Sequence, residues 1–114
     1  MTHTMQPFAG FRVIDFTRVV SGPYATGQLA LLGADVIKIE SPEGGDEARQ
    51  MSPDAALAAE NMAPMYMACA MNKRSVALDL KNPAARDAAE RLIRGADVVM
   101  ENFRPGVMDR LGLG

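Results

Sequence analysis

Apolar residues fall along this chain in short blocks with two different periods. Phe11-Arg12-Val13-Ile14-Asp15-Phe16 is rich in β-formers and has the length of a buried strand, and Ala34 to Glu40 repeats that character. Ser75-Val76-Ala77-Leu78-Asp79-Leu80 alternates as a strand does, and Asp97-Val98-Val99-Met100 closes the set. A helix separates the first two strands: Ser21 can cap it, Pro23 can take an early position where its missing N–H costs nothing, and Gly33 is a left-handed stop after Leu32. Ala25, Leu29 and Leu32 share one face of this helix and Ala30 and Leu31 widen it, which predicts burial on more than one side. A second helix starts at Asn82-Pro83, as N-cap and first-turn residue, and repeats Ala85, Ala88, Ala89, Leu92 and Ile93 on one face until Gly95.

Strand, helix, strand, loop, strand, helix, strand is the signature of an α/β protein with a parallel sheet, flanking helices and right-handed connections. The loop is residues 41–64, where Pro, Gly, Asp and Ala dissolve the pattern. A loop longer than about 15 residues in a compact domain is usually functional or mobile. Met62, Met65, Met67 and Met71 near its end read as flexible packing, because Met fills irregular gaps. Residues 1–10, with His3, Gln6 and Pro7, read as an extended lead-in, and residues 11–114 as one domain.

Composition narrows the function. A chain of 114 residues, 48% apolar and 23% charged, is ordinary for one globular domain. Net charge is −2, so no global field recruits nucleic acid or an anionic membrane, and an anionic ligand must be held by a local cluster of basic residues. The single cysteine, Cys69, forms no internal disulfide, and no charged segment precedes an apolar one as in a secretory leader; both point to the cytoplasm. No apolar run approaches the roughly 20 residues of a membrane span.

Several chemistries find no support in the residues. A dinucleotide fold needs spaced glycines in its first βα turn, whereas Thr17-Arg18-Val19-Val20-Ser21-Gly22-Pro23 has one glycine and the β-branched pair Val19-Val20, so NAD is disfavoured. Without that turn Glu40, at the end of the second strand, reads as a solvated strand end instead of a ribose ligand. No His, Cys, Asp or Glu cluster has metal-ligand spacing, and no Ser-His pair exists for acyl transfer. With the only histidine far away at His3, Cys69 reads as a small buried hydrophobe. Among the carboxylates, Asp79 and Glu101 come nearest to an acid or base role because they stand at strand ends.

What remains is convergence. Val19 and Val20 follow the first strand, Leu78 to Lys81 end the third, and Asn102, Phe103 and Arg104 end the fourth, so a parallel sheet gathers them at its carboxyl edge, where open α/β sheets bind ligands. Lys73, Arg74 and Lys81 add charge nearby, and Arg110 lies one short turn beyond Pro105-Gly106. Arg suits a phosphate or carboxylate held by two parallel hydrogen bonds. Coenzyme A offers phosphates, a flat base and an amide-bearing chain, which together match this set.

The same residues resemble a known family. Gly10 to Phe16, Ser21 to Ala25, Leu32 to Glu40, Asn72-Lys73-Arg74-Ser75, Leu78 to Lys81 and Glu101-Asn102-Phe103-Arg104-Pro105-Gly106 are together similar to the start of the class III coenzyme A transferases, the group typified by formyl-CoA transferase and the carnitine and bile-acid CoA transferases. The resemblance implies a Rossmann-like CoA-binding domain, the amino-terminal part of a larger subunit that forms an interlocked homodimer. It implies acyl-CoA and a carboxylic acid as substrates, with no tightly bound cofactor, and CoA contacts at Val19, Val20, Leu78, Lys81, Asn102, Phe103, Arg104 and Arg110. Some members place a basic residue directly after the strand-ending Glu; here it is Ser41. The family's nucleophilic aspartate corresponds to no position up to Gly114, so no catalytic residue is assigned, and the chain by itself is expected to be inactive and either marginally stable or self-associating. A 2-methylacyl-CoA racemase, which shares the fold, and a non-catalytic CoA-binding module are the alternatives.

Overall fold

Each central strand carries two different faces, and that division organises the molecule. The computed structural model describes residues 6–114, so His3 and the first half of the expected lead-in lie outside the described residues. Strand β1 (Arg12–Asp15) pairs in parallel with β2 (Asp35–Glu40) on one side and β4 (Val98–Met100) on the other, and β2 pairs with β3 (Arg74–Ala77). The resulting order β3-β2-β1-β4 is that of the first four strands of a doubly wound sheet. Successive side chains of a strand point to opposite faces. Ile14, Phe16, Ile37 and Ile39 form one core with Ala89 of helix α4 (Pro83–Arg94), while Val13 and Val36 form the other with Ala30 of helix α1 (Ser21–Leu31) and Ala34. The expected α/β architecture with flanking helices is therefore the observed one.

Local signals explain the helix ends. Asn82 caps α4 by accepting the Ala84 N–H at 2.9 Å, and Pro83 opens its first turn. Gly33 has φ +106°, the left-handed conformation foreseen after α1. Ser21 does not cap α1: it is the first helical residue, Val20 stands at the cap position, and no side-chain cap bond forms. The buried face of α1 is Gly22, Pro23, Thr26, Gly27 and Ala30, with Leu32 exposed, because the helix lies so close to its neighbours that only small residues fit. A Cβ on Gly22 would stand 2.4 Å from Thr17 Cβ, and one on Gly27 would stand 3.1 Å from the Cys69 carbonyl oxygen.

The segment read as a loop, residues 41–64, has structure of its own. It holds a 3-10 turn (Glu47–Gln50) and helix α2 (Ala55–Ala59), which Asp54 caps by accepting the Ala56 and Leu57 N–H groups, and α3 (Pro64–Ala70) starts at its end. Helix α3 buries Tyr66 and Cys69, in line with the reading of Cys69 as a buried hydrophobe. Met62, Met65, Met67 and Met71 are instead exposed and do not serve as internal packing, since α3 turns only its Tyr66 and Cys69 side inward. The described part of the lead-in is a turn: the Ala9 N–H bonds to the Gln6 carbonyl, and Phe8 packs on the Val13 core.

Candidate ligand-binding site

Beyond the carboxyl ends of the strands lies a cavity of about 390 Å³. That volume lies within the range of small-molecule sites. Its apolar floor is Phe16 just after β1, Ile39 from β2, Leu78 and Leu80 after β3, and Phe103 after β4; Arg18, Lys81 and Arg104 stand around it, with Glu40 and Asp79 also in its wall. The Arg18 guanidinium lies 5.3 Å from the centre of the Phe103 ring, a cation–π arrangement that joins the first and last strand ends. Helix α5 (Val107–Arg110) closes the far wall through Val107, followed by Leu111, and begins after Gly106 in the left-handed conformation at φ +87°.

The structure brings together four of the eight residues expected to touch ligand: Leu78, Lys81, Phe103 and Arg104 line the cavity. Val19 and Val20 occupy the adjoining turn, Val19 with φ +69° and Val20 exposed, and neither lines the cavity. Asn102 is exposed, yet its amide is taken up by the protein's own main chain: Oδ1 accepts the Arg18 N–H at 2.9 Å and Nδ2 donates to the Arg18 carbonyl at 3.0 Å. Arg110, on α5, stands beside Gly106. Asp79 and Glu101 serve as turn acceptors, taking the N–H groups of Lys81 and Phe103. Of the extra basic residues only Lys81 reaches the cavity. Arg74 is tied to Asp35 at the start of β2, and Lys73 is buried beneath α1 on Asp15.

Sequence reasoning missed a buried polar layer behind this edge. On the α1 face the strands read Val13, Asp15, Thr17 and Val36, Lys38, Glu40, apolar where they begin and polar where they end. Asp15 Oδ2 accepts from Lys73 Nζ at 3.1 Å and from Thr26 Oγ1 at 2.7 Å, and Lys38 Nζ lies 2.7 Å from Asp46 Oδ2. Burial draws the Lys73 ammonium below its ordinary value, partly offset by the Asp15 carboxylate. Glu40 is not a solvated strand end; it is 6% exposed and accepts two hydrogen bonds from Arg49, both at 2.8 Å, with others from Ser75, Tyr66 and the Asp46 N–H. Burial alone would raise its carboxyl, but the bonds from Arg49, Ser75 and Asp46 outweigh that and bring it to about 2. Burial and the Glu40 charge push the Tyr66 phenol up to about 12. No buried side-chain polar atom among the described residues lacks a partner.

The structure is thus an α/β protein whose parallel strand ends frame a largely apolar cavity, bordered by Arg18, Lys81 and Arg104 and by the carboxylates Glu40 and Asp79. The chain belongs to CoA-transferase family III, whose model matches residues 8–114. It is 45% identical to a succinate–glutarate CoA-transferase of Agrobacterium fabrum, an alignment covering 99% of this chain and 29% of that protein. It is 47% identical to a formyl-CoA:oxalate CoA-transferase of Rhodopseudomonas palustris, covering 90% of this chain and 24% of that one. Among solved structures, a hypothetical protein of Mycobacterium tuberculosis superposes with a TM-score of 0.82 at 45% identity, over 96% of this chain and 28% of that one. A CAIB/BAIF family protein of Brucella suis gives 0.83 at 37% identity, over 97% and 29%. The chain thus spans less than a third of the length of these relatives. Among the described residues no helix is long and apolar enough to cross a membrane.

Proposed function

We propose that residues 11–114 form a coenzyme A-binding domain and serve an enzyme that moves CoA from an acyl-CoA donor to a carboxylic acid acceptor. The observation that carries this reading is the cavity at the strand ends, where aromatic and aliphatic walls adjoin Arg18, Lys81 and Arg104. A flat base packs against Leu78 and Phe103, while Lys81 and Arg104, both exposed, are placed to meet phosphates. Arg104 can engage a phosphate with two parallel hydrogen bonds and Lys81 as a mobile point charge. Val19, Val20 and Asn102 shape the neighbouring turn, and Arg110 extends the cationic margin along α5. The names of the relatives favour CoA transfer, and the lack of pyrophosphate glycines after β1 disfavours NAD.

Calorimetric titration with CoA and with NAD tests the reading. We expect saturable binding of CoA, and Arg104→Ala to weaken it by roughly 1.5–3 kcal/mol, the scale of a hydrogen bond to a charged group. Arg12→Ala is the control, because Arg12 pairs with Asp35 at the opposite end of the sheet. Binding of NAD without CoA, or equal losses from both substitutions, would refute the assignment. The homodimer implied by the family resemblance is supported by Tyr24, Leu31 and Met71, which expose an apolar face shared by α1 and the end of α3. Sedimentation velocity should show association, and a monomer at all concentrations would count against it.

A further inference from the structure

The two peptide groups that flank Arg18 are held at all four of their polar atoms. The Thr17 carbonyl accepts from Lys38 Nζ at 3.1 Å, and the Arg18 N–H donates to Asn102 Oδ1 at 2.9 Å. The Arg18 carbonyl accepts from Asn102 Nδ2 at 3.0 Å, and the Val19 N–H donates to the Asp46 carboxylate at 3.1 and 3.3 Å. Lys38 and Asp46 are themselves an ion pair, 2% and 1% exposed. Asp46 is anchored in turn, its N–H donating to Glu40 Oε1 and its Oδ1 accepting the Ala48 N–H. The conformation held in this way is an unfavourable one. Val19 has φ +69°, a left-handed backbone that a β-branched residue adopts only when its surroundings impose it.

We propose that Lys38 and Asp46 are positioning residues, which lock the Arg18–Val19 turn in its left-handed form so that Arg18 stands against Phe103 at the cavity before ligand arrives. This rests on the reading of that cavity as the CoA site. A buried ion pair is a poor source of stability, since well-packed apolar residues of similar volume often do as well. Its value here is directional: one ammonium and one carboxylate reach main-chain atoms of opposite polarity and fix the peptide planes between them. A turn already in its bound shape spares the ordering cost that binding otherwise bears.

The test is a thermodynamic cycle. Lys38→Met/Asp46→Ala removes both charges together, so neither is stranded, and it is made with Val19 and with Val19→Gly. Glycine takes the left-handed conformation without strain, so the clamp should matter only to valine. With Val19 in place, the double substitution should raise the Kd for CoA by about tenfold or more, as release of the strained conformer implies. With glycine at 19 the change should stay below about threefold. Amide hydrogen exchange reads the same turn without ligand. The Val19 N–H should be protected in the unaltered chain and lose protection in the clamp variant, while Ile14 in β1 keeps its own.

Equal losses in both backgrounds would make the pair a general packing element and overturn the proposal, as would an unprotected Val19 amide in the unaltered chain. That last measurement decides the matter even if the double variant fails to fold. If the unaltered chain takes up no CoA, the functional reading fails, and the Val19 exchange rate still judges the clamp.

Discussion

Replacing Glu40 with Gln should remove a stabilisation that exists only above strongly acidic pH. The shape is conserved, so no cavity opens, but Arg49 loses the carboxylate that it grips through Nε and Nη2, and the amide brings an N–H₂ toward donors. The ordinary carboxyl value of 4.5 falls to about 2 in the folded chain. At about 1.4 kcal/mol per tenfold, that difference is worth roughly 3 kcal/mol at neutral pH. The sign follows from which state holds the proton. Between about pH 4.5 and 2 the unfolded chain has protonated this group and the folded chain has not, so stability falls as pH falls through that window. Urea unfolding followed by far-ultraviolet circular dichroism, on the parent and Glu40→Gln at pH 7, 4, 3 and 2, isolates the effect because all other carboxylates cancel in the comparison. We expect a gap of roughly 3 kcal/mol at pH 7 that closes toward pH 2. A gap independent of pH, or one under about 1 kcal/mol at neutrality, would refute the reasoning, since 1 kcal/mol is no more than an exposed pair supplies.

Other expectations follow from close contacts and buried charge. Gly22→Ala puts a methyl 2.4 Å from Thr17 Cβ and should cost at least the roughly 1–3 kcal/mol of an overpacked core, read as a lower urea midpoint. Asp15→Asn and Lys73→Met should each destabilise by about 3–5 kcal/mol, with the double variant losing less than the sum; strict additivity would show that the pair is not coupled. In spectroscopic titration of the folded chain, the Tyr66 phenolate should emerge only near pH 12, and its appearance near pH 10 would place Tyr66 in water.

Much of this architecture is legible in the order of residues. Strands β1 and β2 announce themselves by short runs of β-forming residues and helix α4 by its period, and Asn82-Pro83 and Gly33 mark helix ends through backbone chemistry that needs no tertiary context. The buried face of α1 is harder to read, because large apolar residues suggest Leu29 and Leu32, whereas close packing selects Gly22, Thr26 and Gly27. Helices α2 and α3 are short and carry no repeating apolar face, although Asp54 and Pro64 are visible start signals. At the site, the convergence of Leu78, Lys81, Phe103 and Arg104 follows from parallel topology alone. The polar layer does not, since a charge near a strand end is usually solvated. Its trace is the two-residue rhythm Val13, Asp15, Thr17 and Val36, Lys38, Glu40, which sets polar groups on the inward face of strands with neighbours on both sides.

The pairing of β1 with β4 also fixes when the cavity can exist during folding. Arg12 meets Asp35 across 23 positions of chain, but Arg18 meets Asn102 across 84. The cost of closing a flexible loop grows as the logarithm of its length, and contacts between distant positions slow the search for the native state. The β1–α1–β2 unit can therefore pair first, leaving the Phe103 wall and the Asn102 hydrogen bonds to Arg18 to arrive with the last strand. Pulse-labelling of amides during refolding would order the two events, with Asp35, whose N–H donates to the Phe11 carbonyl of the neighbouring chain segment, protected before Arg18. The cavity would then be the last feature the chain completes and the first it loses when β4 parts from β1.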